Sequence, residues 1–306
     1  MYVIWNLTRV CPWNCAFCCV AAIHAKNPRD AESKHALEVS NQRQLTFDEK
    51  ISVLQILATQ GVKIDFSGGD PLFYEDDIRV LEKAITLMPP ERIDVSMTGS
   101  GLTKRKIRIL KRVETVEFTL DNLPSTNNPL RPKGFNVATM KAIKKLVPLG
   151  INASAVTTLH KHTIGEDNLL KIYQWLCANK VKTWSVLKFY PVGRGISMDN
   201  LVQPKERYLE AMQFLSKLNG YTQVIFQHSM CILKSEYACH AAMETVGVLP
   251  DGNVSACAWA LNGQCSPMSS FSIGKLPEES FDDILKRARQ EMGYHERLPF
   301  CRITKQ

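Results

Sequence analysis

Short apolar runs alternate with amphipathic stretches along the first 220 residues of the chain. The runs are rich in Val, Ile, Phe and Thr, and they predict buried strands at 4–9, 62–66, 93–97, 116–120, 151–157 and 183–190. The amphipathic stretches predict helices at 47–59, 76–87, 103–111, 136–147, 165–178 and 204–218. Six successive strand–helix units predict an α/β fold, a partial (β/α)6 barrel of parallel strands with right-handed crossovers. Its chemistry is expected at the carboxyl ends of the strands.

The pattern changes after about residue 220. Short strands are predicted at 224–227 and 246–249, and a hairpin turn at 250–253 leads into a further strand at 254–257. A helix at 280–289 precedes a last stretch that holds Cys301. This segment is too small for an independent core and is rich in cysteine, so we expect a metal-stapled extension. The predicted organisation is a barrel domain at 1–220 and a small cysteine-rich extension at 221–306.

Composition narrows the class of protein. Apolar residues make up 45% of the chain and charged residues 22%, which is typical of a globular domain with a core. No apolar run reaches the roughly 20 residues that cross a bilayer, and the N-terminus lacks the features of a signal peptide. We therefore expect a cytoplasmic protein with no membrane partner. The net charge of +8 is scattered along the chain, which favours a solvated surface, and nucleic acid is not expected as a partner.

Ten cysteines are many for a chain of this size in a reducing compartment, where they indicate metal or redox chemistry rather than disulfides. Cys177 stands alone between a group near the N-terminus and a group in the last quarter. The first group is Cys11, Cys15, Cys18 and Cys19, and the second is Cys231, Cys239, Cys257, Cys265 and Cys301. The distribution predicts two metal regions separated by a metal-poor scaffold.

The first group contains a C-x3-C-x2-C spacing directly after the first predicted strand. Three closely spaced thiolates, at Cys11, Cys15 and Cys18, suit an iron–sulfur cluster, and they leave one of four irons open. The alternative is a zinc site with Cys19 or His24 as a fourth ligand. Cys19 directly follows Cys18 and is poorly placed to chelate the same metal.

This spacing, with Phe17 just before the third cysteine, resembles the defining motif of the radical S-adenosylmethionine (SAM) superfamily. The resemblance implies that Cys11, Cys15 and Cys18 hold a [4Fe–4S] cluster whose fourth iron binds the amino and carboxylate groups of SAM. One electron from the cluster would cleave SAM to methionine and a 5′-deoxyadenosyl radical, which abstracts hydrogen from a substrate. Phe17 would lie against the adenine or shield the cluster. A one-electron donor such as flavodoxin or ferredoxin is then an expected partner.

The segment after the second strand, Ser67-Gly68-Gly69-Asp70-Pro71, strengthens the resemblance. It is similar to the family's Gly-Gly-Glu-Pro segment, which holds the amino group of SAM through backbone carbonyls and the acid. Paired glycines allow the backbone to approach a ligand closely, and Asp70 can accept hydrogen bonds from an ammonium group. Asp replaces Glu here. Taken alone, the segment is an ordinary turn.

Three further strand ends supply candidate contacts. Ser96 or Thr98, after the third strand, resembles a loop that bonds to the SAM carboxylate or ribose. Thr119 and Asp121, after the fourth, resemble a Ser-Leu-Asp segment of the branch with extra clusters, and Asp121 is a candidate catalytic residue. Arg194, after the sixth, is a candidate contact for SAM or substrate. For each, a satisfied strand-end turn or a surface residue is the alternative.

The C-terminal cysteines resemble the SPASM/twitch extension, in which a cysteine, a hairpin glycine and a second cysteine begin an auxiliary [4Fe–4S] site. Cys239, Gly252 and Cys257 fit that order, and Cys301 continues it. The usual final Cys-x2-Cys pair is missing, so Cys265 is the expected fourth ligand; otherwise one iron is open. A zinc site at the same residues is the alternative.

The resemblance implies an enzyme and leaves its substrate open. The SPASM/twitch branch favours modification of a ribosomally made peptide by epimerisation, crosslinking or oxidation. The alternative is dehydrogenation or epimerisation of a small molecule such as an aminoglycoside or sugar, because strand one begins too early for a leader-binding domain. A non-catalytic iron–sulfur or zinc protein is a further possibility. Cys231 is a candidate hydrogen donor to a substrate radical.

Overall fold

Parallel strands joined by helices form the centre of the molecule. The computed structural model describes residues 1–27, 44–124, 128–234 and 239–304. The parallel strands are β1 (Tyr2–Thr8), β2 (Lys63–Gly68), β3 (Ile93–Met97), β4 (Thr115–Thr119), β5 (Ala153–Leu159), β6 (Thr183–Lys188) and β7 (Gln223–Phe226). The predicted α/β fold is confirmed, and each of the six predicted barrel strands is present to within two residues of its expected ends.

The helices cover the outer face of this sheet. They are α1 (Phe47–Thr59), α2 (Glu75–Leu87), α3 (Lys104–Leu110), α4 (Phe135–Leu146), α5 (Glu166–Ala178) and α6 (Lys205–Ser216), and α7 (Phe281–Gln290) follows in the extension. Their ends have local causes. Thr46 and Glu49 form a reciprocal capping box that starts α1, and Thr103 accepts a hydrogen bond from the Lys106 backbone to start α3.

The C-terminal extension continues the sheet of the barrel. Its strands are β8 (Thr245–Val248), β9 (Asn253–Ser255) and β10 (Ser272–Lys275), and the sheet order is β10-β9-β8-β1-β2-β3-β4-β5-β6-β7. β8 runs parallel to β1, β9 is antiparallel to β8, and β10 is antiparallel to β9. The strands thus form an open sheet with β7 and β10 at its edges, so the barrel is partial. The sequence did not predict β10, because its four residues include one large apolar side chain.

Alternation along the strands separates two faces. Trp5, Phe66 and Phe118 point outward and are fully buried beneath the helices. The alternate positions, such as Asn6 and Asp65, point to the inside of the curved sheet and line a cavity. The inner face is therefore polar, and the site is built on it. Within the described ranges, every helix is too short or too polar to traverse a lipid bilayer.

Candidate active site

A cavity of about 260 Å³ opens at the carboxyl ends of the parallel strands and extends down the inner face of the sheet. Its upper wall is formed by the cysteine loop and by strand ends, and its lower part by inward side chains of β1 to β5. The predicted site residues that line it are Cys11, Cys15, Phe17, Cys18, Ser67, Gly68, Gly69, Ser96, Thr98 and Thr119. Residues from one loop and three strand ends thus meet at one place, as a parallel sheet requires.

The cysteine loop folds back on itself beside β1. A two-residue parallel pairing joins Val10–Cys11 to Ile23–His24, and the Ala25 backbone donates to the Cys11 carbonyl at 3.0 Å. Cys11 and Cys15 are buried, and Cys18 is partly exposed. Burial, joined by Asp70 and the neighbouring cysteines, raises the pKa of Cys11 well above its usual value. Burial also raises the pKa of Cys15, and Arg131 opposes that shift.

The donor set of this loop is the all-sulfur set that iron–sulfur clusters use. Cys11, Cys15 and Cys18 line one cavity and lie within electrostatic range of one another. Their chemistry therefore fits the [4Fe–4S] cluster of the predicted motif. Across the ranges that the structure describes, no three His, Cys, Asp or Glu side chains form a group that could hold a single metal ion.

The loop after β2 is pressed against the cysteine loop. The Gly69 backbone donates to the Thr8 carbonyl at 2.7 Å, and the Asp70 backbone donates to the Val10 carbonyl at 2.9 Å. A Cβ at position 69 would collide with the Val10 carbonyl, so only glycine fits there. In the structure this glycine pair lies against the backbone carbonyls of Thr8 and Val10, and its predicted approach to a ligand stays a prediction.

Asp70 organises this loop from within. Its carboxylate is 2% exposed and accepts hydrogen bonds from the Leu72 backbone at 3.0 Å and from the Thr98 hydroxyl at 2.5 Å. Burial raises its pKa, and the bond from Thr98 opposes the shift. Of this segment, Ser67, Gly68 and Gly69 line the cavity. Asp70 and the buried Pro71 are not among the described residues that do so.

Arg194 contacts the backbone of the cysteine loop. Its guanidinium donates to the Cys15 carbonyl at 2.7 and 3.0 Å and to the Ala22 carbonyl at 2.5 Å. The preceding Gly193 lies against the Cys18 and Cys19 carbonyls, where a Cβ would collide. The structure therefore places Arg194 against the protein's own carbonyls, where it clamps the loop that carries the thiols.

Phe17 packs against a group of charged and aromatic side chains that the sequence did not predict. The Arg131 guanidinium stacks 4.4 Å from the Phe17 ring centroid and donates to the Asp121 carboxylate at 2.6 Å. Burial opposes the charge on Arg131, but Asp121 and Cys15 outweigh it and raise its pKa. His160 packs edge-on against Phe17 at 5.3 Å, and burial lowers its pKa to about 4, so it is neutral at pH 7. Asp121, which forms the ion pair with Arg131, is fully buried.

The C-terminal cysteines divide into two places. Cys257 lies within electrostatic range of Cys239 and Cys301, and burial, followed by Cys301 and Cys239, raises its pKa to about 12. Cys265 is packed instead beside Cys11, Cys18 and Cys19. The structure thus places Cys239 and Cys301 within electrostatic range of Cys257, and it places the fourth predicted ligand, Cys265, against the first cysteine loop.

Cys231, the candidate hydrogen donor, lies near the seventh strand. Its thiol donates to the Phe226 carbonyl at 3.4 Å. Gln227, one turn earlier, lines the cavity, whereas Cys231 is outside the described lining. A second thiol, that of Cys19, does line it, and burial raises the pKa of Cys19 to about 12.

Solved structures with a similar fold show where this architecture is found. SuiB of Streptococcus suis bound to precursor peptide SuiA has a TM-score of 0.70 and 14% identity, covering 96% of this chain and 65% of SuiB. SuiB bound to S-adenosylmethionine has a TM-score of 0.63 and 14% identity, covering 84% of this chain and 60% of SuiB. The chain therefore spans less than two thirds of the length of SuiB.

A second protein, anSMEcpe with bound AdoMet and Cp18Cys peptide, has a TM-score of 0.67 and 12% identity, covering 96% of this chain and 81% of anSMEcpe. At these identities the likeness shows the fold. No curated protein matches the sequence significantly.

The structure is thus that of an α/β protein whose parallel sheet carries, at the carboxyl ends of its strands, a cavity lined by cysteine thiols. The sequence matches the Radical SAM superfamily over residues 5–176, more than half of the chain. The chain belongs to the radical SAM superfamily. Membership supports an enzyme that uses SAM, together with the family's [4Fe–4S] cluster.

Proposed function

We propose that the protein abstracts a hydrogen atom from a substrate bound on the inner face of its sheet. The observation that carries this proposal is that Cys11, Cys15 and Cys18 line the same cavity as the inward side chains of the strands. These cysteines would hold the [4Fe–4S] cluster. When bound, the cluster supplies the electron that cleaves SAM and provides a hydrogen-abstracting 5′-deoxyadenosyl radical. Side chains that line this cavity beside the cysteines would therefore contact both SAM and the substrate.

The residues of the upper cavity have distinct tasks in this proposal. Ser67, Gly68 and Gly69 line the upper cavity and would hold the methionine part of SAM, and Thr98 lines the same wall. Asp70 holds the Thr98 hydroxyl in place rather than facing the cavity. Ser96 and Thr119 are further SAM or substrate contacts lower on the wall. Aromatic lining by Trp13, Phe17, Phe189 and Trp259 excludes water, which protects a reactive radical.

A ribosomally made peptide is the proposed substrate. The fold supports a peptide substrate, because SuiB and anSMEcpe, which have a similar fold, were solved with peptides bound. The proposed outcome is epimerisation, a crosslink or an oxidation. Product made in heavy water separates these, because epimerisation adds one deuterium at carbon without changing composition, whereas the others remove two hydrogens. If Cys231 is the hydrogen donor, Cys231→Ala abolishes deuterium incorporation. That role requires its thiol to leave the Phe226 carbonyl.

We propose an auxiliary cluster in the segment 221–306, held by Cys239, Cys257 and Cys301. The grouping of their thiols supports it. Cys265 as a fourth ligand requires the segment around it to leave its place beside Cys18. Iron content of the reconstituted chain tests this: Cys257→Ala should lower it by about half. A matching loss in Cys265→Ala supports the fourth ligand, and an unchanged content contradicts it. Equal iron in wild type and Cys257→Ala would contradict the auxiliary cluster.

The central test is production of 5′-deoxyadenosine. The chain is reconstituted anaerobically with iron and sulfide, supplied with SAM and reduced with dithionite or with a flavodoxin or ferredoxin, the proposed cytoplasmic electron donors. Cys15→Ala should abolish 5′-deoxyadenosine, and Cys177→Ala, a thiol on α5 outside the cavity, should not. Undiminished production by Cys15→Ala would contradict the cluster assignment.

A further inference from the structure

The lower end of the cavity carries acidic side chains on three neighbouring strands. Asp65 of β2 pairs in register with Asp94 of β3, and Ser96, two residues on, pairs with Glu117 of β4. Side chains paired in this way point to the same face of a sheet. Asp65, Ser96 and Glu117 line the cavity. We call Asp65, Asp94 and Glu117 the acidic floor.

The acidic floor holds more negative charge than its partners neutralise. Lys63 pairs with Asp94 at 2.9 Å, and the Lys63 side chain is 33% exposed. Asp65 accepts a hydrogen bond from the Ser96 hydroxyl at 2.9 Å, and Asp94 accepts one from the Tyr2 hydroxyl at 3.0 Å. One oxygen of Asp65 and one of Asp94 are buried with no hydrogen-bond partner among the described residues. The charges that act on Glu117 are those of Asp65 and Asp94, and both repel it.

A buried hydroxyl next to the floor is also unpaired. Ser154 of β5 pairs in register with Glu117, and it is 3% exposed. Its hydroxyl oxygen has no hydrogen-bond partner among the described residues. Val156 and Thr158, on the same face of β5, line the cavity, so the Ser154 side chain points to the inside of the sheet. A buried polar group without a partner is unfavourable, and a hydrogen-bond donor placed at the floor would satisfy it.

Burial and mutual repulsion disfavour the ionised forms of these carboxylates when no cation lies between them. Burial is the largest cause that raises the pKa of Asp65 to about 7 and the pKa of Glu117 to about 8. A positive charge between them would favour both ionised forms. Among the described residues, Lys63 forms a salt bridge with Asp94 but not with Asp65 or Glu117. Carboxylates in such a position are more typical of a binding site than of a stabilising ion pair.

We propose that the acidic floor binds the alkylammonium or guanidinium group of the substrate, with the Ser154 hydroxyl as a further acceptor. The inference rests on the proposed function and deepens it by naming a cationic substrate. Ser96, whose hydroxyl donates to the floor residue Asp65, lies two residues before Thr98, about 7 Å along the strand. That distance is comparable to the reach of a lysine side chain, so a cation at the floor would leave the carbon chain near the upper cavity, where hydrogen abstraction is proposed.

Binding without turnover tests the proposal. The reconstituted full chain, with SAM and without reductant, is titrated calorimetrically with Nα-acetyl-L-lysine methylamide and with its neutral counterpart, Nα-acetyl-L-norleucine methylamide. The cationic probe should bind at least about tenfold more tightly. A second pair, glucosamine and glucose, asks whether the cation comes from a sugar rather than a peptide. Selectivity for the amine in either pair supports the floor as a cation site, and the preferred pair identifies the source.

Neutral variants of the same size locate the site. Asp65→Asn and Glu117→Gln should each weaken the selected cationic probe about tenfold, and the exposed Glu91→Gln should bind it as the wild type does. Thermal unfolding of each variant confirms that it is folded. Equal binding of charged and neutral probes, or unchanged binding by both floor variants, overturns the proposal. Formation of 5′-deoxyadenosine without cation selectivity defeats this inference alone. Cation selectivity without 5′-deoxyadenosine defeats the proposed function alone.

Discussion

Arg131 serves several groups of the site at once. Its guanidinium stacks on Phe17 and on Phe135, at 4.4 and 4.7 Å from the two centroids, and pairs with the fully buried Asp121. Planar, always charged and multiply donating, arginine suits such a position better than lysine. The same side chain contacts the Cys15 thiol, and its positive charge favours a thiolate there. One residue therefore links the aromatic wall of the cavity to Cys15, a proposed cluster ligand.

Removing that guanidinium should destabilise the chain. In Arg131→Gln the Asp121 carboxylate stays buried and unpaired, and breaking such a pair costs about 3–5 kcal/mol. The free energy of unfolding, measured by denaturant titration, should fall by that order. Asp121→Asn introduced into Arg131→Gln should recover part of the loss, because it removes the stranded charge. If the double variant is no more stable than the single one, the ion pair is not the cause.

The acidic floor should make stability depend on pH. The unfolded Glu117 releases its proton near pH 4.5 and the folded one near pH 8, so the unfolded chain binds fewer protons between these values. Stability should therefore fall as pH rises through that window, by about 1 kcal/mol per unit for one fully linked proton, and level off above it. Glu117→Gln should show a flatter profile in denaturant titrations at several pH values. The exposed Glu91→Gln serves as the control. A profile of Glu117→Gln as steep as that of the wild type would contradict the raised pKa.

Individual residues could be predicted where the signal is local. The spacing of Cys11, Cys15 and Cys18 is read from eight consecutive positions, and these three cysteines line one cavity. Their binding of a cluster stays a prediction. Arg131 follows a Pro-containing turn and has no local signature, because its partners come from other loops and strands. Arg194 and Cys265 were assigned by type and position along the chain. Their actual contacts depend on how distant loops pack, which spacing does not encode.

At the scale of elements, two loops hold the cysteine loop from either side. The loop after β2 bonds to its beginning through Gly69 and Asp70, and the loop after β6 packs on its end through Gly193 and Arg194. Helix bounds were predictable because caps such as Thr46 are local, whereas β10 was not, because a four-residue strand with one large apolar side chain has no clear periodicity. The sequence motifs identified the two loops, but they did not predict which residues the loops contact.

A substitution in the loop after β6 should disturb iron binding. A Cβ in Gly193→Ala would meet the Cys18 and Cys19 carbonyls, and φ at this position is +56°. Gly150→Ala is the matched control, since Gly150 also has a positive φ, +80°, but nothing within 4 Å. The control should lose about 1–2 kcal/mol of stability from backbone strain alone. Gly193→Ala should lose more and bind less iron on reconstitution. Equal effects of the two substitutions would show that loop packing is unimportant.

At the scale of the whole molecule, the extension and the barrel share one sheet. β1 is bonded on one side to β2 and on the other to β8, with Val3 paired to Val246. The sequence predicted the strand around Val246 but not its partner, because parallel pairing across more than 240 residues leaves no local pattern. The sequence pattern changes near residue 220, but the hydrogen bonding of the sheet continues across that point.

Unfolding should consequently be a single cooperative event. Calorimetry of the chain should show one transition. Val246→Ala, which removes a fully buried side chain from β8, should lower the temperature of that whole transition. The expected loss is about 1–3 kcal/mol, since the cavity left in a shared core affects both parts. Two resolved transitions, only one of them moved by Val246→Ala, would show that the extension folds by itself.

The clamp of Arg194 on the Cys15 carbonyl spans 179 positions of the chain. A nascent polypeptide therefore carries its first three thiols long before the residue that shapes their loop has been made. Contacts of such long range form late in folding, because much of the chain must be ordered before they close. We therefore expect the proposed metallation of the first loop to follow assembly of the sheet through its sixth strand, because iron delivered earlier would meet thiols that have not yet been arranged to receive it.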